Sequence, residues 1–418
     1  MAHLLMVESW VGAMSRLLPR AIREGGHEFT FLTRDVHHYL RSAPEGTAHP
    51  LLGARNVLTA DTNDLDALLP TVDRLHKALG FDGVITSCDY YLPTVARIAD
   101  RLGLPGPSPE AVENACRKDA TRRALAHAGV AGPRFAVCAD RSAAVVAAAE
   151  LGYPLVLKPV DLCAGMYVRR VDDEEELVRA HRALDDFPVN ARGQRRAPLV
   201  LLEELLHGPE VSVETVTFEG RTHVVGVTDK SVGGAPAFIE TGHMFPAALT
   251  AADATAAEQT AVQALKALGL DDVVAHTEIK LTPDGPRVVE VNPRPAGNRI
   301  TELIRHVTGS DIAAACVDVA LGHPPDLRRR DTGLRSAAIG FLVPRTAGVL
   351  EAVDGADLVR EAPEVLELQL AEPGSAVKPA DSNNAYLGHV MAGDATGPGA
   401  RGRVEALLSA LCPRVVNR

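Results

Sequence analysis

Between Val273 and Asn292 the chain reads VVAHTEIKLTPDGPRVVEVN, two runs of strand-forming residues separated by Pro283-Asp284-Gly285-Pro286. A breaker cluster between two β-type runs makes a tight turn, so the stretch is expected to form a hairpin. Strand side chains alternate faces with period two. A turn centred on Asp284 therefore sets Glu278 opposite Glu290 and His276 opposite Asn292, all on one face. Like charges directly opposite cost roughly 0.2–1 kcal/mol in an ordinary sheet, so this face needs either solvent or a cation. A wet acidic face is one reading. A divalent cation is the other, because carboxylate and amide oxygens are the hard ligands that Mg²⁺ takes when it also holds nucleotide phosphates. If the acids simply repel, removing one should leave the metal-free fold as stable or more so.

The residues Glu278, Glu290-Val291-Asn292 and Arg294 resemble the metal-binding end of the ATP-grasp carboxylate–amine ligases. The continuation NPRPAG is more similar to the L-amino-acid ligase branch, which joins two amino acids into a dipeptide, than to the D-alanine–D-alanine ligases. The resemblance implies an ATP-grasp fold, α/β and α+β in class. Its N-terminal domain is a parallel, Rossmann-like α/β unit and its small C-terminal domain is α+β. It also implies ATP and Mg²⁺ as cofactors, with Mn²⁺ as a substitute metal. Glu278, Glu290 and Asn292 become the metal ligands, and Arg294 the group facing a substrate carboxylate or a developing oxyanion.

Lysine is scarce: only Lys77, Lys118, Lys158, Lys230, Lys266, Lys280 and Lys378 occur among 43 basic residues. Lys158 lies inside the apolar run YPLVLKPV, where a buried ammonium loses its proton unless an anion meets it. The resemblance makes that anion a nucleotide phosphate and matches Lys118, near a helix start, to a second phosphate lysine. A solvated helix surface is the alternative for Lys118. By the same resemblance DLCAGMYV is the loop folding over the phosphates, although it carries a single glycine, Gly165. Glu203, Glu204 and Leu206 form the hinge against which adenine lies, and Glu210 grips the ribose hydroxyls. Glu214 receives no role. The stretch THVVGVTDKSVGGAPAFIETGHMFPA is similar to a loop covering the amino-acid pocket; there Lys230 is set against phosphate, and Glu240 and His243 against substrate. Solvated loop residues are the plainer alternative for these three. Catalysis falls to Arg294, Lys158, Glu278 and Glu290.

Strands and helices alternate from residue 3 to Leu102 as in a parallel α/β sheet, without a GxGxxG fingerprint. Glu8, Ser9 and Trp10 follow the first strand and are expected near the cleft or in loop packing. Ser108 is expected to cap a helix that has Pro109 at its first position, and Asp172 a later one. From Ser336 the pattern is mostly β with Gly and Pro punctuation. The domains are drawn at 1–107, 108–325 and 326–418.

A net charge of −11 argues against a general nucleic-acid binder and gives no attraction to anionic membranes. The start of the chain lacks secretory patterning, and no apolar run reaches ~18 residues, so a cytoplasmic protein is expected. Six cysteines without a CxxC pair indicate neither a zinc site nor a disulfide framework. The expected partners are small molecules, an amino acid or other carboxylate and an amine. A homodimer is compatible with a sequence that does not fix the oligomeric state. Two rival readings remain: another ATP-grasp ligase or carboxylase with a non-amino-acid substrate, and a nucleotide-binding protein without catalysis.

Overall fold

The computed structural model describes residues 1–10, 12–41, 48–233, 237–380, 382–383 and 385–416. The first strand, His3–Val7, is buried at every residue, as a strand covered on both faces must be. It pairs in parallel with Glu28–Thr33 and Gly83–Ile85, and Asn56–Thr59 completes a four-stranded parallel sheet. The helices Met14–Glu24, Leu65–Leu79 and Leu92–Leu102 intervene as the alternating pattern predicts. Asp64 caps the second of these by accepting from the Ala67 N–H.

Two antiparallel sheets follow. The smaller runs Phe135–Cys138, Val200–Glu204, Leu155–Pro159 and Arg169–Val171. The larger has eight strands in the order Gly285–Asn292, Val273–Thr282, Glu210–Phe218, Arg221–Val232, Glu240–Phe245, Ser336–Phe341, Gly388–Asp394 and Val365–Leu370. Strands from either side of residue 325 thus share one sheet. A small sheet of Ala376–Val377, Gly348–Asp354 and Cys412–Val416 lies beyond it. The helix Ala400–Ser409 packs directly on Gly340, where a Cβ would stand 2.4 Å from the Leu408 side chain. No described helix is long and apolar enough to cross a membrane.

Several local expectations need correction. The stretch read as a pocket loop is mostly two sheet strands, Arg221–Val232 and Glu240–Phe245; the glycine pair had outweighed the alternation on either side of it. Gly233 is described, while Gly234 lies outside the described residues. Ser108 precedes the helix Pro109–Cys116, but its hydroxyl makes no capping bond. Asp173 rather than Asp172 caps Glu174–Asp185, accepting from the Glu176 N–H, and the Glu176 carboxylate returns a bond to the Asp172 N–H. The short helix Ala356–Arg360 and the closing strand Cys412–Val416 were missed.

Candidate active site

The hairpin is present with its expected register, reached by a different route. Thr282 pairs with Gly285, so the turn is Pro283-Asp284, half a residue earlier than assumed. A bulge then adds one residue, Val289, between the pairs Ile279–Val288 and Glu278–Glu290. The two offsets cancel. Glu278 therefore faces Glu290, and His276 faces Asn292. The far edge of Val273–Thr282 pairs with Glu210–Phe218, which sets His276 beside Glu214 and Glu278 beside Ser212. This face opens on a cleft of about 840 Å³ between the sheets. Four of the seven lysines line it: Lys118, Lys158, Lys230 and Lys280.

One side of the cleft is acidic. Lys230 is 5% exposed, and its ammonium meets three carboxylates: Glu240 at 2.9 Å, Glu210 at 3.3 Å, and Glu278. The Lys230 ammonium is thus met by protein carboxylates on the cleft wall, and it is not a solvated loop residue. Burial opposes its charge, yet the carboxylates raise its pKa well above the ordinary lysine value. Glu210 also meets Lys280 at 3.2 Å. His276 reaches Glu214 through Nδ1 at 3.0 Å and Glu278 through Nε2 at 3.2 Å. Burial works against the imidazolium, but Glu214 and Glu278 lift its pKa to about 9. Lys230 and His276 in turn overcome burial and hold the Glu278 carboxyl well below the usual range.

Across the cleft the excess charge is positive. Glu203 lies between Arg122 and Lys158, each 2.6 Å away, and all three are at most 5% exposed. Two cations against one carboxylate leave one net positive charge. The buried lysine that was expected to wait for a phosphate therefore already has a protein anion. Burial and Arg122 still outweigh Glu203 and keep the Lys158 pKa below its ordinary value. Glu203 is thus held by its side chain, and the Glu204 N–H is taken by the Arg134 carbonyl at 3.0 Å. The Glu204 carboxylate turns to Arg134 at 2.8 Å. All three residues of the expected hinge, Glu203, Glu204 and Leu206, line the cleft, with Leu205 and Leu206 lying beyond the end of the strand. Gly208, at φ +137°, lets this connection lie against the hairpin: a Cβ there would stand 2.0 Å from the Leu281 oxygen.

Lys118 is 8% exposed and ties three segments together. It begins the helix Lys118–His127, donates to the Leu162 carbonyl at 2.6 Å and meets Glu290 at 2.8 Å. Burial opposes its charge, but Glu290 raises its pKa above the ordinary value. The alternative of a solvated surface lysine is excluded. In the loop after Leu162 the left-handed conformations that glycine would supply are adopted by Ala164 (φ +56°) and Tyr167 (φ +58°) as well as Gly165. Tyr167 stacks on Phe187 at 4.9 Å.

Arg294 lines the cleft and donates from Nε to Asp89 at 2.5 Å, joining the hairpin to the N-terminal sheet. Asp89 also accepts from Trp10 Nε1 at 2.6 Å. Trp10 lines the cleft, whereas Glu8 and Ser9 are buried beneath it; Glu8 accepts from Thr33, Tyr39, Thr62 and the Arg34 N–H. His243, at 2% exposure, sits behind Glu240 at 3.2 Å and is not among the cleft-lining residues. Asp89, Arg122 and Glu214 were missed as partners of predicted residues. Glu214 was signalled only by its place inside the apolar run VSVETVTF, whereas Arg122 lies in the polar helix KDATRRALAH and gave no signal. Phe341 and Tyr386, stacked at 4.3 Å, bring the C-terminal segment to the cleft wall, where no site residue was expected.

The donor set suits a divalent metal. The bonds that Glu278 accepts from Lys230 and His276 all go to Oε1, and neither Glu278 Oε2 nor the Asn292 side chain has a partner among the described residues. No group of three or more His, Cys, Asp or Glu side chains there is arranged to hold a metal by itself. Hard oxygens too few to enclose an ion match a metal that completes its shell with phosphate oxygens and water.

Three family models match the chain: the ATP-grasp domain over residues 151–302, the L-amino acid ligase C-terminal domain 2 over 340–416, and the ATP-grasp N-terminal domain over 20–106. The protein y4rH of Sinorhizobium fredii is 32% identical over 88% of this chain and 76% of its own length. Alanine–anticapsin ligase of Bacillus subtilis is 28% identical over 75% of this chain and 72% of its own. Among solved structures, L-amino acid ligase from Bacillus licheniformis superposes with a TM-score of 0.82 at 24% identity, covering 100% of this chain and 99% of that one; at that identity the match speaks for the fold. With the cleft and its two charged sides in place, the chain belongs to the ATP-grasp carboxylate–amine ligases, and its C-terminal part matches the C-terminal domain of the L-amino acid ligases.

Proposed function

We propose that the protein uses ATP to join the carboxylate of an amino acid to an amine, forming a peptide bond by way of an acyl phosphate and releasing ADP and phosphate. The observation that carries this reading is the division of one cleft into a side with surplus positive charge, at Arg122, Glu203 and Lys158, and a side with paired carboxylates, at Glu278 and Glu290. Phosphoryl transfer depends on positioning and charge neutralisation more than on a protein nucleophile. A carboxylate oxygen of the first substrate attacks the terminal phosphorus of ATP, and the bond to ADP breaks. The amine then attacks the acyl carbon, phosphate leaves, and the amine proton passes to solvent.

Lys158 and Arg122 offer the phosphates their uncompensated charge, and Lys118 holds the Leu162 end of the loop that faces them. Glu278, Glu290 and Asn292 would hold Mg²⁺, which neutralises phosphate charge when bound. Arg294, fixed through Nε by Asp89, keeps donors for a carboxylate or a developing oxyanion, a bidentate task suited to guanidinium. Glu240, whose oxygens also meet Lys230, His243 and Asn298, would take a substrate ammonium through its remaining lone pairs. Alanine–anticapsin ligase bears a peptide-forming name, which supports amino acids as the substrates here.

The test is a phosphate-release screen of amino-acid pairs with mass spectrometry of the products and chromatography of the nucleotide. A condensed product with ADP is expected. AMP and pyrophosphate, or turnover that requires bicarbonate instead of a second amino acid, would overturn the reading.

A further inference from the structure

The chemistry above leaves Glu214 and His276 without a task, although each is only 4% exposed. They form a rectangle with two neighbours on one face of the large sheet. Ser212 and Glu214 are two apart on one strand, Glu278 and His276 two apart on the next, and the register pairs Ser212 with Glu278 and Glu214 with His276. Hydrogen bonds run along three sides. Ser212 Oγ donates to Glu214 Oε1 at 2.6 Å, His276 Nδ1 faces both Glu214 oxygens at 3.0 Å, and His276 Nε2 faces Glu278 Oε1 at 3.2 Å. A buried imidazole needs only some partner for each nitrogen, and a hydroxyl or carbonyl would serve. Here both nitrogens instead face carboxylates, and the second carboxylate is a cleft residue.

The bond to Glu278 is selective within that carboxylate. Lys230 and His276 both meet Oε1, and Oε2 has no partner among the described residues. Two groups on one oxygen stop the carboxylate from rotating, which a single contact would permit. We propose that the Glu214–His276 pair is a positioning device for Glu278, fixing Oε1 so that Oε2 is presented to a divalent cation in the cleft. The inference rests on the reading of Glu278 as a metal ligand. Partners of this kind behind a ligating side chain are typically worth 10–100-fold in metal affinity.

The experiment titrates full-length protein with Mn²⁺, followed by electron paramagnetic resonance, in the presence of a non-hydrolysable ATP analogue. Calorimetry measures the analogue alone, and melting temperature is recorded for each variant. His276→Gln is expected to weaken Mn²⁺ binding about 10–100-fold and Glu214→Gln by less, with metal-free analogue affinity unchanged. Glu278→Gln is the control: if it keeps wild-type Mn²⁺ affinity, the metal reading itself fails. If Glu278→Gln loses the metal while folded His276→Gln retains wild-type affinity, only the positioning role is overturned, and a lower melting temperature does not rescue it. Should His276→Gln not fold, Glu214→Gln decides by the same criterion, since it keeps the side-chain volume and the histidine.

Discussion

Glu203→Gln separates two accounts of the nucleotide side of the cleft. If Glu203 serves only through its main chain at the adenine hinge, an isosteric amide changes little. If its carboxylate neutralises Arg122 and Lys158, each 2.6 Å away, the substitution strands two buried cations. Breaking a buried pair costs about 3–5 kcal/mol. Arg122 keeps a bond to the Val289 carbonyl at 2.6 Å, whereas Lys158 has no second anion within ion-pair distance among the described residues. Lysine can, however, escape by losing its proton. At about 1.4 kcal/mol per pH unit, neutralising a lysine of ordinary pKa at pH 7 takes about 5 kcal/mol, which caps its share of the penalty, and at pH 9 the cap is about 2 kcal/mol. The sign follows from proton counts. Lys158 already has a lowered pKa in the native state, and without Glu203 it falls further. Between that value and the unfolded one the unfolded chain binds the extra proton, so stability rises with pH. Calorimetric melting without nucleotide should therefore show a fall of roughly 3–6 °C at pH 7 and a narrower gap from wild type at pH 9. ATP should stabilise the variant more than the wild type, because its phosphates supply the missing anion. A melting temperature within a degree of wild type at both pH values would refute the reasoning.

Glu290→Gln should abolish turnover and, contrary to the expectation from repulsion alone, lower metal-free stability, because it leaves the buried Lys118 ammonium with the Leu162 carbonyl; thermal melting in a chelator checks this. Lys158→Ala should weaken ATP binding by calorimetry without altering amino-acid preference in the phosphate-release screen. Arg294→Lys should lower amide formation at least about tenfold, roughly the 1.4 kcal/mol of one charge-assisted hydrogen bond, while ATP affinity stays near wild type. Equal losses in both would make Arg294 part of the scaffold that joins the hairpin to Asp89.

The hairpin shows how a correct register can be read from an incomplete picture. Turn chemistry located Pro283-Asp284-Gly285-Pro286, but it could not reveal that the turn closes on Thr282 and Gly285 or that Val289 bulges. A bulge depends on how the partner strand twists, and the partner is distant in sequence. The parallel N-terminal sheet was legible because continuous apolar runs alternate with amphipathic helices. The run through Lys230 was not, because Gly233-Gly234 signals a turn equally well in a loop or between two long strands, and only tertiary pairing with Glu210–Phe218 and Ser336–Phe341 distinguishes them.

The lysines mark the limit for the site itself. A lysine within an apolar strand predicts an anion, since an unpaired buried ammonium is unstable as a charge, but the sequence does not say whether the anion belongs to the protein or to a ligand. Lys158 and Lys230 pose the same question and receive different answers. Around Lys158 the cations outnumber the anions by one, through Arg122 from a helix 36 residues upstream. Around Lys230 three carboxylates face one ammonium, and the deficit runs the other way. Ligand chemistry follows from these differences. The surplus cation is what an anionic phosphate would neutralise, and the surplus acid is what a metal or a substrate ammonium would neutralise. Neither can be counted until Arg122, Glu203, Glu210 and Glu240 are brought together by strands and helices that the chain order keeps apart.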